Sequence, residues 1–215
     1  MKIEIQQVTK KLQGVTVLRD VSLTLESGVI YGLRGVNGSG KTMLMRLIAG
    51  LIRPSSGRIL IDGKQLGREI SFPSEMGFLI ENPAFLDGYT AARNLRLLAG
   101  IRKVAPEERI REVLQEVGLP YEDKRKFRQF SLGMKQRLGI AGAVLEHPNL
   151  LLIDEPTNAL DTDGIEMVQR VLLAEKRRGA LIVLACHDFS LLNRLSDKIY
   201  QVKEGCVTPY APPAQ

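Results

Sequence analysis

The stretch Gly35-Val36-Asn37-Gly38-Ser39-Gly40-Lys41-Thr42 restricts this 215-residue chain more than any other feature. It matches G-x-x-x-x-G-K-[ST] in full. It follows an apolar run at 29–33 and opens an apolar helical pattern over about 41–51, stopped by Gly50 and Pro54. Glycines let backbone N–H groups curl around an anion, and a helix N-terminus adds partial positive charge. Lys41 can reach the β- and γ-phosphates of a nucleotide, and the Thr42 hydroxyl can hold Mg²⁺. An incidental glycine-rich turn would not need strand, loop, Lys-Thr and helix in that order. The stretch is read as a nucleotide-phosphate site on an α/β scaffold.

A second feature has the same logic. Leu150-Leu151-Leu152-Ile153 is an apolar strand that delivers Asp154 and Glu155 at its C-terminal end, where parallel sheets bind ligands. Asp154 suits a water-mediated hold on Mg²⁺. Glu155 points elsewhere and suits orienting or deprotonating an attacking water.

The rest of the chain divides into three blocks. Residues 1–81 read as strands around one helix: Ile3, Ile5 and Val8, then Val21, Leu23 and Leu25, recur near period two, and 57–62 and 76–80 suit two further strands. Residues 82–147 read as a helical insert. Thr90 caps a helix over 91–98, Pro106-Glu107-Glu108 opens one that runs to Val117, and Ser131 caps a third over about 132–146. Residues 148–215 return to α/β, with continuous apolar runs at 150–153 and 180–185 flanking a helix over about 162–178. The tail, 209–215, is expected to fray.

Charge and cysteines narrow the setting. Net charge is +6, and the insert 82–147 holds 12 Lys/Arg against 8 Asp/Glu, hence +4 of it. Phe127 and Phe130 are the only aromatics beside the basic run 124–128, too few for a single-strand-binding surface, so no direct nucleic-acid partner is expected. The longest apolar stretch, 180–186, is far short of the roughly 20 residues that span a bilayer. Cys186 and Cys206 form no metal or disulfide pattern and fit a reducing, cytosolic setting.

A third motif, Phe130-Ser131-Leu132-Gly133-Met134-Lys135-Gln136-Arg137, is by physics alone a capped helix start. It resembles the signature motif of ABC-transporter ATPase subunits, in a form common among drug and peptide exporters. The phosphate loop, Asp154-Glu155-Pro156-Thr157, Ala159-Leu160-Asp161 and His187 follow in that family's order, over residues 1 to about 206. The resemblance implies a P-loop NTPase (RecA-like) core from 1–81 and 148–215, an antiparallel β subdomain, and a helical subdomain at 82–147, together one ABC ATPase domain.

It also implies roles. Two copies would pair head-to-tail around two ATP molecules and Mg²⁺, with Ser131 and Gly133 serving the γ-phosphate on the opposite protomer and Asp161 at the seam. Glu155 would be the base, Lys41 and His187 would contact the γ-phosphate, and Gly35 through Thr42 would cradle the nucleotide. A transmembrane permease would be the partner, reached at the cytoplasmic face of the membrane through the insert and segment 81–89. A soluble ABC ATPase acting on ribosomes or nucleic acid is the alternative, yet the fused cassettes or inserted coiled coils of such relatives are missing.

Two positions depart from the family's pattern. Glu81 stands where glutamine usually ligates Mg²⁺, as in bacitracin-type and lantibiotic-immunity exporters, so altered Mg²⁺ dependence is expected. Leu12 stands where an aromatic residue often stacks on adenine, so weaker base selectivity is expected.

Overall fold

The computed structural model describes residues 1–210. Two sheets share the molecule. A four-stranded antiparallel sheet runs in the order β2-β1-β4-β5, from β1 (Lys2–Leu12), β2 (Val15–Glu26), β4 (Ser56–Ile61) and the two-residue β5 (Lys64–Gln65). A six-stranded sheet runs β10-β9-β3-β8-β7-β6, from β3 (Ile30–Arg34), β6 (Met76–Leu79), β7 (Leu150–Asp154), β8 (Leu181–Ala185), β9 (Lys198–Lys203) and β10 (Cys206–Pro209). Strands β9, β3, β8, β7 and β6 are parallel, and β10 closes the edge antiparallel to β9.

The apolar runs of the central strands form a two-faced core because alternate residues point to opposite faces of a strand. Leu151, Ile153, Ile182 and Leu184 pack toward the helical insert and α5 (Thr162–Arg177). Leu150, Leu152, Leu181 and Val183 pack with α1 (Lys41–Ile48) and the antiparallel sheet. Every residue of β7 and β8 is buried, which explains why neither shows polar alternation in sequence.

Between β6 and β7 lie three α-helices, α2 (Ala91–Arg102), α3 (Glu107–Glu116) and α4 (Leu132–Val144), and a 3-10 turn at Phe127–Gln129, with no strand among the described residues of that stretch. The expected caps are in place: Thr90 accepts from the Arg93 N–H at 3.3 Å, and Ser131 from the Met134 N–H at 3.2 Å. Helix α2 runs four residues beyond the expected end, past Gly100, and stops at Lys103 in a left-handed conformation (φ 59°). Gly77 lets α4 lie directly on β6, since a Cβ there would sit 1.8 Å from the Ala143 carbonyl oxygen.

The C-terminal region differs from expectation. Pro209 does not fray but pairs with Tyr200 at the end of edge strand β10, where its missing N–H is tolerated. Residues 211–215 of the expected frayed tail lie outside the described residues. Helix α6 (Phe189–Leu195), β9 and β5 are further elements that periodicity did not reveal.

Candidate functional site

Strand β3 ends in the phosphate loop, and the loop's shape depends on specific glycines. A Cβ on Gly35 would lie 2.3 Å from the Val202 carbonyl oxygen, so only glycine lets the loop pass β9. Gly40 has φ +118° and packs against Val17 and Leu18 of β2, a backbone conformation closed to L side chains. It precedes α1, whose N-terminus has no side-chain cap and no acidic residue in its first turn. Those N–H groups are therefore free for an anion.

The loop's polar side chains fit the same ligand. Lys41 is buried, and its ammonium donates to the loop's own Gly35 and Val36 carbonyls at 2.7 and 3.1 Å. The Ser39 hydroxyl is buried without a hydrogen-bond partner. A buried cation and an orphaned hydroxyl beside uncapped helix N–H groups are what a phosphate would satisfy. Val36, 75% exposed, and Asn37 lie at the loop's outer surface, where a nucleotide or a second protein can reach them.

The end of β7 brings the carboxylates to this loop. The Thr42 hydroxyl donates to Asp154 Oδ2 at 2.6 Å, joining the first turn of α1 to the C-terminal end of β7. A hydroxyl and a buried carboxylate in contact are hard oxygen donors suited to Mg²⁺, with most of its remaining shell supplied by phosphate and water.

Glu155 follows with φ +49°, a left-handed conformation unusual for a non-glycine residue. Its backbone is held at both ends: the N–H donates to the Ala185 carbonyl at 2.8 Å, and the carbonyl accepts from Gln136 Nε2 at 3.0 Å. One carboxylate oxygen accepts the His187 N–H at 3.1 Å. The other lies 3.2 Å from His187 Nε2 but makes no hydrogen bond. Burial, with the Asp154 charge adding to it, pushes the Glu155 carboxyl above the ordinary carboxylate range, while His187 and Lys41 pull the other way. A carboxylate raised in pKa, one oxygen unengaged, suits accepting a proton from water.

The structure thus brings Lys41, Thr42, Asp154, Glu155 and His187 together. It puts others elsewhere. Ser131 and Gly133 begin α4 and, among the described residues, make no hydrogen bond to the phosphate loop; Ser131 caps α4, and a Cβ on Gly133 would lie 2.8 Å from the Ala159 carbonyl. Leu132 between them is 72% exposed. Glu81, expected at the metal, pairs with Arg46 of α1 at 2.5 Å and makes no hydrogen bond to Thr42 or Asp154. Arg46 is one helical turn beyond Thr42 on α1. Leu12 ends β1, paired with Val15 across the hairpin and 39% exposed.

Sequence reading assigned no contacts to Gln136 and Arg137. Gln136 reaches the Glu155 carbonyl, and Arg137 donates to the Val117 carbonyl at 2.8 Å and lies 3.4 Å from Asp161. Asp161 also caps α5, accepting the Gly164 N–H at 2.9 Å.

Comparison with known proteins gives the family. The family model described as ABC transporter matches residues 18–158. The chain is 47% identical over 203 residues to an uncharacterized ABC transporter ATP-binding protein, YybJ of Bacillus subtilis, covering 94% of this chain and 93% of that one. It is 36% identical to the lantibiotic transport ATP-binding protein SrtF of Streptococcus pyogenes, covering 94% and 87%. It is 38% identical to the bacitracin transport ATP-binding protein BcrA of Bacillus licheniformis, covering 94% of this chain and 67% of that one.

Among solved structures, an ATP binding subunit of an ABC transporter superposes with a TM-score of 0.88 at 29% identity, over 98% of this chain and 90% of that one. A dimeric ATP-binding cassette in a post-hydrolysis state bound to ADP and Pi superposes at 0.86 with 25% identity, over 99% and 100%. The fold is that of these cassettes, a P-loop NTPase core with an antiparallel sheet and a helical part.

Proposed function

The chain belongs to the ABC transporter family of ATPases, and on that premise we propose that it powers export through a separate membrane protein, working as a head-to-tail dimer. The observation that carries this reading is a site divided between two surfaces. Phosphate loop, Asp154, Glu155 and His187 lie together, whereas Ser131 and Gly133 open α4 with the exposed Leu132 between them. A second copy, turned head-to-tail, would bring those residues to the first copy's nucleotide. Each protomer would then supply both halves, so a homodimer suffices.

In the proposed cycle Lys41 and the N–H groups of 35–42 bind the phosphates. Thr42 and Asp154 would hold Mg²⁺, which neutralises charge on the β- and γ-phosphate oxygens when bound. Glu155 accepts the proton of the attacking water, and His187 orients that carboxylate and faces the γ-phosphate. ATP binding closes the dimer, and hydrolysis reopens it.

The proposed route to the membrane partner is the groove between β6 and the insert. It encloses about 510 Å³ and is lined by Phe78, Leu79, Pro83, Phe85, Leu98 and Ile101. Ile101 is 76% exposed. Segment 82–85 sits on the glycines of α4: a Cβ on Gly139 would meet Pro83 at 2.7 Å and one on Gly142 would meet Phe85 at 3.0 Å. Buried Asn94 pins Leu86 at 2.9 Å to its N–H and 3.2 Å to its carbonyl. Among the described residues no helix is long and apolar enough to cross a membrane. The BcrA and SrtF relatives, named for bacitracin and lantibiotic transport, support export of a peptide antibiotic.

The test is a pull-down of tagged protein from gently solubilised native membranes. A polytopic membrane protein recovered in stoichiometric amount is expected. Recovery with ribosomes or DNA and no membrane partner would overturn the transporter reading and leave the ATPase assignment standing.

A further inference from the structure

Helix α4 does two things at once. Its first turn carries Ser131 and Gly133, and its second carries Gln136, which is only 7% exposed despite being polar. The Gln136 amide donates to the carbonyl of Glu155, 19 residues along the chain. Beside it, Gly133 packs on the Ala159 carbonyl and Arg137 reaches Asp161. Three successive contacts therefore fix loop 155–161 to the start of one helix.

The contact on Glu155 differs from the other two in consequence. A left-handed backbone costs an L-residue on the order of 1 kcal/mol and persists only where neighbours over-determine it. At Glu155 those neighbours are Ala185, which accepts the N–H, and the Gln136 amide and Asn158 N–H, which donate to the carbonyl at 3.0 and 3.3 Å. The direction of the carboxylate follows from that backbone conformation. Without the Gln136 donor, the Glu155 carbonyl keeps only the longer bond from the Asn158 N–H at 3.3 Å, and the carboxylate's aim at His187 loses the contact that ties it to α4.

We propose that Gln136 is a positioning residue for Glu155, tying the helix that bears Ser131 and Gly133 to the carboxylate that acts on the chain's own nucleotide. This rests on the reading of Glu155 as the base. It predicts that a shift of α4, as when Ser131 and Gly133 engage a nucleotide on a second copy, re-aims Glu155 in the same chain.

The test uses the full chain and two variants. Gln136→Met keeps the length and removes the donor; Gln136→Glu keeps the shape and places a second acceptor against the carbonyl. Both are expected to lower kcat about tenfold, as small misplacements of a reacting group do, with KM for ATP little changed and, in Gln136→Met, which buries no charge, the thermal midpoint little changed as well. A loss of general packing would instead move KM and the midpoint together with kcat. In a Glu155→Gln background, adding Gln136→Met is expected to cost nothing further in single-turnover hydrolysis.

Normal kcat in both Gln136 variants beside a Glu155→Gln enzyme reduced to slow residual hydrolysis would overturn the positioning role alone. So would an undiminished tenfold loss in the Glu155→Gln background. Normal turnover of Glu155→Gln itself would overturn the reading on which the proposal rests.

Discussion

At residue 81 the resemblance implies glutamine, and the chain has a carboxylate that the structure turns to Arg46, four residues past Thr42 on α1. Both partners are partly exposed, so the pair is worth roughly 0.2–1 kcal/mol. Glu81→Gln removes the charge and is expected to raise the Mg²⁺ concentration for half-maximal turnover by up to about fivefold; an unchanged Mg²⁺ titration and turnover would exclude Glu81 from the metal's surroundings. Leu12 is a second departure, exposed at the end of the β1–β2 hairpin. If adenine lies against it, Leu12→Tyr should tighten ATP binding at least about fivefold, since aromatic stacking contributes roughly 1–3 kcal/mol per base. Equal ATP affinity in a fluorescence titration would remove Leu12 from the base site. Lys41, Thr42, Asp154, Glu155 and His187 were legible because each is a chemically distinctive side chain at a strand end or helix start. Gln136 was not, because its partner is a backbone carbonyl, and a sequence displays side chains without showing which carbonyl they meet. The positive φ of Glu155 was hidden for the same reason.

Elements test how the insert is joined to the core. Gly77 is the point where α4 rests on β6, and Gly77→Ala would drive a methyl into the Ala143 carbonyl, a backbone atom that cannot turn aside. The expected loss is about 1–3 kcal/mol or more in denaturant unfolding, as for overpacked cores; full stability would mean that α4 can lift off β6 at little cost. Within the insert, Arg96 on α2 grips Glu107 at the start of α3 with two bonds of 2.9 and 2.5 Å, and the Tyr121 hydroxyl donates to the same carboxylate. The Arg96 contact, then Tyr121, hold the Glu107 carboxyl down at about 2 against an ordinary 4.5. A depressed carboxylate stabilises the folded chain above the ordinary value, and that contribution fades as pH falls from about 4.5 toward 2. Glu107→Gln should therefore lower the thermal midpoint near neutrality and converge with the unaltered chain near pH 2; parallel curves throughout would mean that the pair does not hold α2 to α3. Of the elements, β3, β7 and β8 were legible as uninterrupted apolar runs. Strands β9 and β10 were not, because β9, with Lys198 and Lys203 at its ends, and the edge strand β10 beside it are half-buried and mixed in pattern. The seven residues of α6 offer too few turns for periodicity to register.

On the scale of the molecule, the two faces of the parallel sheet serve separate ends. One buries α1 and the antiparallel sheet and so fixes the phosphate loop; the other buries the insert and so fixes α4 and the groove. Motif order revealed this division because the phosphate loop, the signature stretch and the carboxylate pair fall in different blocks of the chain. It left the location of Glu81 and the grip of α4 on loop 155–161 unseen, since both depend on distances across blocks. In the proposed dimer one chain holds half of each composite ATP site and a second copy completes it. Glu155→Gln should bind ATP and hydrolyse it only very slowly, and so trap the closed pair. Light scattering on this variant with Mg²⁺-ATP is predicted to give twice the monomer mass, falling back to the monomer with ADP. A monomer with ATP, in a variant that still binds the nucleotide, would contradict it.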